Sequence, residues 1–253
     1  MLNKNYGGNI VTQLTSIKNK KTILSEGPYE YFVYETLGNE QIQFDPLGSC
    51  SLFVLEKSSE TNISVGSINL NANQGDRIQI ENCQYQLKII GGPIKLLIAG
   101  TRKTHPTSRE ITLTRYEELY KVVKPWGYEL WINNQHPNYA FKEIYIRAGH
   151  KTSLQYHQLK KETNVLLSGV ARLHYNNNLS VEIDKVSLDD VLNLTINPIS
   201  IIDVPPLTLH RLEAITDITL YEVSTPHLDD VIRISDDTGR ANGRINNEHI
   251  KSV

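Results

Sequence analysis

The chain has 253 residues, enough for one large or two small domains that can each bury a core. Its 26 Lys/Arg and 28 Asp/Glu leave a formal charge of −2, with both signs interspersed. That balance excludes the clustered positive face needed to grip a phosphate backbone, so no nucleic-acid partner is expected. Two cysteines, Cys50 and Cys83, are too few for a disulfide scaffold, and no apolar run approaches membrane-spanning length. With no secretory apolar segment at the start, the expectation is a cytoplasmic protein without a membrane partner.

In chain order, short strand-like runs come first, at 29–35, 51–56, 62–70, 76–81, 84–90 and 94–99. Turn signals such as Gly27-Pro28, Asp45-Pro46-Leu47-Gly48 and Gly91-Gly92-Pro93 separate them, a rhythm that predicts an antiparallel barrel or sandwich. This half contains no histidine before His105, so it is predicted to be a structural barrel without metal ligands. Residues 102–120 are polar and read as a linker, with a short helix predicted over 115–121 behind Thr114 as N-cap. Strand-like runs resume at 128–132 and 141–147 and continue to 219–224, followed by a polar tail with a helical or irregular start. The fold class expected is all-β, two antiparallel barrels in tandem, divided as 1–104 and 105–253.

The densest chemistry lies between Gly149 and Gly169. Gln155 and His157 are two apart on a predicted strand and so share a face. Glu162 opens the next apolar run, and a hairpin brings an amide oxygen, an imidazole and a carboxylate together. His210, in a third strand-like run, completes a mixed nitrogen and oxygen set suited to a divalent transition metal.

The spacing Gly149-x5-Gln155-x-His157-x4-Glu162-x6-Gly169 resembles the first motif of the cupin superfamily, with Gln155 in place of the usual first histidine. Ser153-Leu154-Gln155-Tyr156-His157, followed by Lys160 and Glu162, is similar to the sugar-phosphate isomerase branch. Lys124-Pro125-Trp126-Gly127-Tyr128-Glu129, together with Asp229-Asp230-Val231-Ile232-Arg233 and Asp236-Asp237-Thr238-Gly239-Arg240, resembles type II mannose-6-phosphate isomerases. Those domains also occur fused to mannose-1-phosphate guanylyltransferases. The second cupin motif survives as Pro205 and His210, while Ile199, Leu207 and Ala214 stand at its two glycine positions and its asparagine position.

The resemblance implies two tandem cupin-type (jelly-roll) barrels and a divalent metal on Gln155, His157, Glu162 and His210. Zn, Mn, Fe and Ni are not distinguished. It further implies a metal-dependent aldose–ketose isomerase of a phosphorylated sugar, of the mannose-6-phosphate kind, serving nucleotide-sugar or surface-polysaccharide supply. The metal polarises the carbonyl and stabilises an enediolate while a base moves a proton between C1 and C2. The cations for the phosphate are Lys160, Arg211 and Arg240; Glu129, Glu222, Lys142 and Tyr145 all stay open as the base. Trp126 and Trp131 are read as barrel-core residues that could also stack on a sugar. By analogy with cupins a homodimer through sheet edges is expected. A non-catalytic bicupin that binds sugar or nucleotide-sugar is the alternative, favoured by the eroded second motif. An iron dioxygenase is disfavoured by Gln155.

Overall fold

The computed structural model describes residues 10–14, 20–25, 27–43, 48–81, 86–101, 110–177 and 191–245. Its regular structure there is almost entirely antiparallel strand, so the all-β expectation holds. No helix among the described residues is long and apolar enough to cross a membrane.

The chain divides into two compact units, and neither is contiguous in sequence. One comprises Met1–Thr15, Val122–Glu129 and Glu143–Val253; the other comprises Ser16–Lys121 and Leu130–Lys142. This differs from a boundary at 104/105 for reasons of pairing. Strand Val11–Gln13 hydrogen-bonds along Ser200–Val204, so the start of the described chain joins the C-terminal unit. Strand Glu110–Thr114 pairs with Arg77–Glu81, so it belongs to the N-terminal unit rather than to a linker. The first part of the predicted linker, 102–109, lies outside the described residues.

In the N-terminal unit a six-stranded sheet and a four-stranded sheet supply one core. Leu52, Val54, Ile78, Ile80, Leu96 and Ile98 come from the first, and Ile63, Val65, Leu87 and Ile89 from the second. Alternate positions on the six-stranded sheet, among them Tyr31, Ser51 and Gln79, meet residues of 130–142. Asn133 Nδ2 donates to Ser51 Oγ at 3.0 Å, the Tyr139 hydroxyl lies 2.9 Å from the same oxygen, and Phe141 meets Tyr31 edge-on at 5.9 Å. The run predicted over 62–70 is two strands, Asn62–Val65 and Ile68–Leu70, because Gly66 turns the chain at φ +61°. The helix predicted over 115–121 is a single 3-10 turn, Tyr116–Glu118. Glu118 closes it by accepting from the Arg115 backbone N–H at 2.8 Å, and strand Tyr120–Lys124 follows at once.

In the C-terminal unit one sheet runs Val11–Gln13, Ser200–Val204, Glu162–Ser168, Ile218–Ser224, and is continued by residues of Ala140–Ile146 and Gly127–Asn133. The opposing sheet runs Leu192–Ile196, Ala171–Asn176, Leu209–Ala214, Leu154–Tyr156, Ile232–Ser235, Gly243–Arg244. Alternation sends Leu166, Ile202, Val204 and Leu220 inward from the first sheet and Ala171, Leu173 and Ala214 inward from the second, around Trp126. The tail predicted as helical or irregular thus supplies two strands, which extend the second sheet beyond Leu154–Tyr156.

Candidate metal centre

The glycines that frame the first motif have a steric reason. Gly149 and Gly169 take φ +76° and +79°, and a Cβ at Gly169 would stand 2.0 Å from the Asp217 carbonyl oxygen. Leu154–Tyr156 and Glu162–Ser168 therefore lie on opposite sheets of the unit with their site residues turned inward. Register places Gln155 directly opposite His210, so both project from the same face. The ligand atoms of His157, Glu162 and His210 all lie within 4.8 Å of one another, and each side chain is buried.

The orientation of the two imidazoles is fixed from behind. His157 Nδ1 donates to the Asp230 carbonyl oxygen, and His210 Nδ1 donates to the Thr208 carbonyl oxygen at 3.0 Å. A carbonyl has no proton to give, so in the neutral ring Nδ1 carries it and Nε2 presents a lone pair to the site. His157 Nε2 stands 2.9 Å from Glu162 Oε1, is buried and makes no well-aligned hydrogen bond. His210 Nε2 is 3.6 Å from Glu162 Oε2. Two imidazole lone pairs turned on one carboxylate, with Gln155 paired to His210 on the neighbouring strand, fit a divalent cation. Burial depresses the His210 pKa, which favours the neutral ring that ligation needs.

Asp230 is the orienting residue that sequence reading missed. Its side chain accepts from the backbone N–H groups of Leu159 and Lys160 at 2.5 and 3.0 Å, while its carbonyl holds His157. Its place in a motif quoted for the tail was the available signal, but its partners are some seventy residues earlier.

The predicted cations separate. Lys160, named from sequence as a phosphate cation, is 2% exposed, and its ammonium donates to Glu162 Oε1 at 2.6 Å and Glu222 Oε1 at 2.9 Å. Burial alone would lower its pKa; the two carboxylates overcome this and raise it. Burial likewise pushes the Glu162 carboxyl up, and Lys160 overcomes that to hold it well below the usual carboxylate range. Arg211 follows His210 in the strand and projects from the other face, where it bonds the Ser235 carbonyl and Asp237, both at 3.1 Å. Arg240 pairs with Asp236 at 2.7 Å and reaches Ser153 Oγ at 3.4 Å; Ser153 in turn donates to Gln155 Oε1 at 3.2 Å. The tail therefore touches the site through Ser153.

Of the four residues left open as base, Tyr145 is on the outer face, bonded to Asp217 at 2.7 Å and stacked on Tyr128. Lys142 belongs to the N-terminal unit, where its ammonium lies 5.1 Å over Trp131. Glu129 is buried with Lys124 3.7 Å away, and Glu222 is buried against Lys160. Both tryptophans are core residues. His136 is buried and His150, His174 and His227 are partly or fully exposed, away from the centre; His105 and His249 lie outside the described residues.

The second motif keeps its backbone without its glycines. Ile199 and Leu207 take φ +68° and +64°, the left-handed conformation that costs an L-residue about 1–2 kcal/mol. Leu207 spends this conformation on donating its N–H to the His157 carbonyl oxygen at 2.6 Å. Because its side chain is exposed, Leu207→Gly should raise stability by about 0.5–1 kcal/mol after the entropy of glycine is counted. A urea midpoint that fails to rise would contradict that strain.

The fold these sheets define is the cupin fold. Residues 112–236 match the family described as mannose-6-phosphate isomerase C-terminal. Among solved structures, the oxalate decarboxylase of Lactobacillus farciminis, seen as a formate complex, is similar with a TM-score of 0.65 at 9% identity, covering 90% of this chain and 89% of that one. An iolB-like protein of Salmonella typhimurium gives 0.65 at 12% identity over 90% and 97% of the two chains. The E. coli protein Ylba gives 0.63 at 11% over 88% and 95%. No curated protein sequence matches the chain.

Proposed function

We propose that the C-terminal unit holds a divalent metal on Gln155, His157, Glu162 and His210, and that the protein is an aldose–ketose isomerase of a phosphorylated sugar, of the mannose-6-phosphate kind. Supply of nucleotide sugars or surface polysaccharide is the setting this reading implies. The observation that carries it is the pair of inward Nε2 atoms converging on Glu162, joined to the family match over residues 112–236. When bound, the ion supplies Lewis-acid polarisation of adjacent sugar oxygens.

The chain's own residues divide the remaining work. Asp230 and Thr208 hold the imidazoles in the ligating tautomer through backbone carbonyls. Lys160 keeps Glu162 anionic and ties it to Glu222, whose strand pairs with that of Glu162 so that Glu222 opposes Asn164. Glu222 is thus the inward carboxylate we assign to carrying the proton between C1 and C2. The core residues around Trp126 exclude water from the inner end of the unit.

The test is metal analysis of the untagged protein followed by an aldose–ketose screen on hexose and pentose phosphates in deuterated solvent. Turnover with deuterium entering at C2 is the expected result. A metal-loaded protein that converts no sugar phosphate but binds sugars or nucleotide sugars would move the assignment to a non-catalytic binding role.

A further inference from the structure

Of the cations named from sequence, Lys160 is committed to two carboxylates and Arg211 projects from the wrong face. The register identifies another. Cα pairing carries a single row across five adjacent strands: Tyr175, His210, Gln155, Arg233 and Gly243. Directly opposed residues of antiparallel strands project to one side, so Arg233 shares the inward face with Gln155 and His210. Its neighbours confirm the parity, because Ile232 and Ile234 pack with Leu154 and Tyr156 in the apolar cluster on the other face.

Arg233 is 4% exposed, and its Nη1 donates to the Ala241 carbonyl oxygen at 2.9 Å, which anchors the guanidinium against the tail. The row ends at exposed Gly243, where a Cβ would meet no heavy atom within 4 Å. Open space therefore lies at the end of the row, on the face that Arg233 shares. Strands lie about 4.8 Å apart, so the Arg233 backbone stands about 10 Å from that of His210. That interval matches a sugar phosphate with its carbonyl end at the ligands and its phosphate at Arg233. Guanidinium also offers the planar fork that binds phosphate oxygens in pairs.

We propose that Arg233 is the specificity-determining cation of the site, taking the phosphate of the substrate. The assignment rests on the isomerase reading above for the rest of the substrate, but its test does not. Inorganic phosphate is titrated into the full, metal-free chain by calorimetry, with chloride at matched ionic strength as control. The wild type, Arg233→Lys and Arg233→Met are compared, and circular dichroism reports folding.

Saturable phosphate binding in the wild type, weakened at least about 10-fold in Arg233→Met and less in Arg233→Lys, is the expected result. If Arg233→Met does not fold, a folded Arg233→Lys with weakened phosphate binding supports the assignment, since a point charge replaces the fork. Equal phosphate affinity in the folded variants, or no phosphate binding by the wild type, overturns it. Phosphate binding that depends on Arg233 in a protein without isomerase turnover leaves the cation assigned and removes the reaction.

Discussion

His210→Ala is expected to abolish metal binding and turnover together while leaving the C-terminal unit folded. In the fold the ring donates through Nδ1 to the Thr208 carbonyl and lies 5.4 Å from the His157 ring, while the strand itself is held by backbone pairing on both sides. To the site it gives one of the two Nε2 lone pairs that converge on Glu162. Loss of partners one shell further out lowers metal affinity by about 10–100-fold, so loss of a ligand should cost no less. Metal content after dialysis, measured beside the unfolding midpoint, checks both halves of the expectation. Stoichiometric metal in a folded His210→Ala protein would remove His210 from the ligand set.

Lys160→Met should produce the largest loss of stability of any single change at the centre. Glu162 and Glu222 are each buried, and the lysine ammonium is bonded to both. Removing it leaves two carboxylates facing one another in a poorly solvated place, a situation that costs about 3–5 kcal/mol. Adding Glu222→Gln removes a charge of the opposite sign and should recover part of the loss. Lys160→Arg should lose less than Lys160→Met, because the cation is kept. A lysine serving as a substrate cation behaves differently: its loss raises KM at unchanged stability. Denaturant unfolding set beside the steady-state constants separates the two roles.

The centre was legible in sequence to the extent that it is local. Gln155, His157 and Glu162 fall within eight consecutive residues between two left-handed glycines, and strand parity alone sets the first two on one face. His210 lies in a distant strand-like run, and only strand pairing sets it directly opposite Gln155. The bond of Lys160 to Glu222 was not legible, because Glu222 lies 62 residues away and only strand pairing discloses it. Arg211 could have been set aside earlier, as its adjacency to His210 forces it to the opposite face. Arg233 had a readable signal in the alternation Ile232-Arg233-Ile234, which marks a strand with one polar residue turned from an apolar side. The division of the chain was not legible, because it depends on which distant strands pair. The strand rhythm of 29–99 was, apart from the extra turn at Gly66, while the loss of the helix at 115–121, the strand Glu110–Thr114 and the two tail strands were not.

The pairing of Val11–Gln13 with Ser200–Val204 has a consequence for how the protein is made. During synthesis the first strand leaves the ribosome nearly two hundred residues ahead of its partner. The sheet that carries Glu162 therefore cannot complete that border until almost the whole chain has emerged, and closure over such a sequence interval is slow. Until then Val11–Gln13 lacks its partner, and in any chain without Val11–Gln13 the strand Ser200–Val204 is an open edge able to template pairing with another chain. A fragment cut at residue 105 would carry that edge permanently. Expression of the C-terminal half alone is thus a matter of supplying the missing strand, and Val11–Gln13 in trans is the natural supplement.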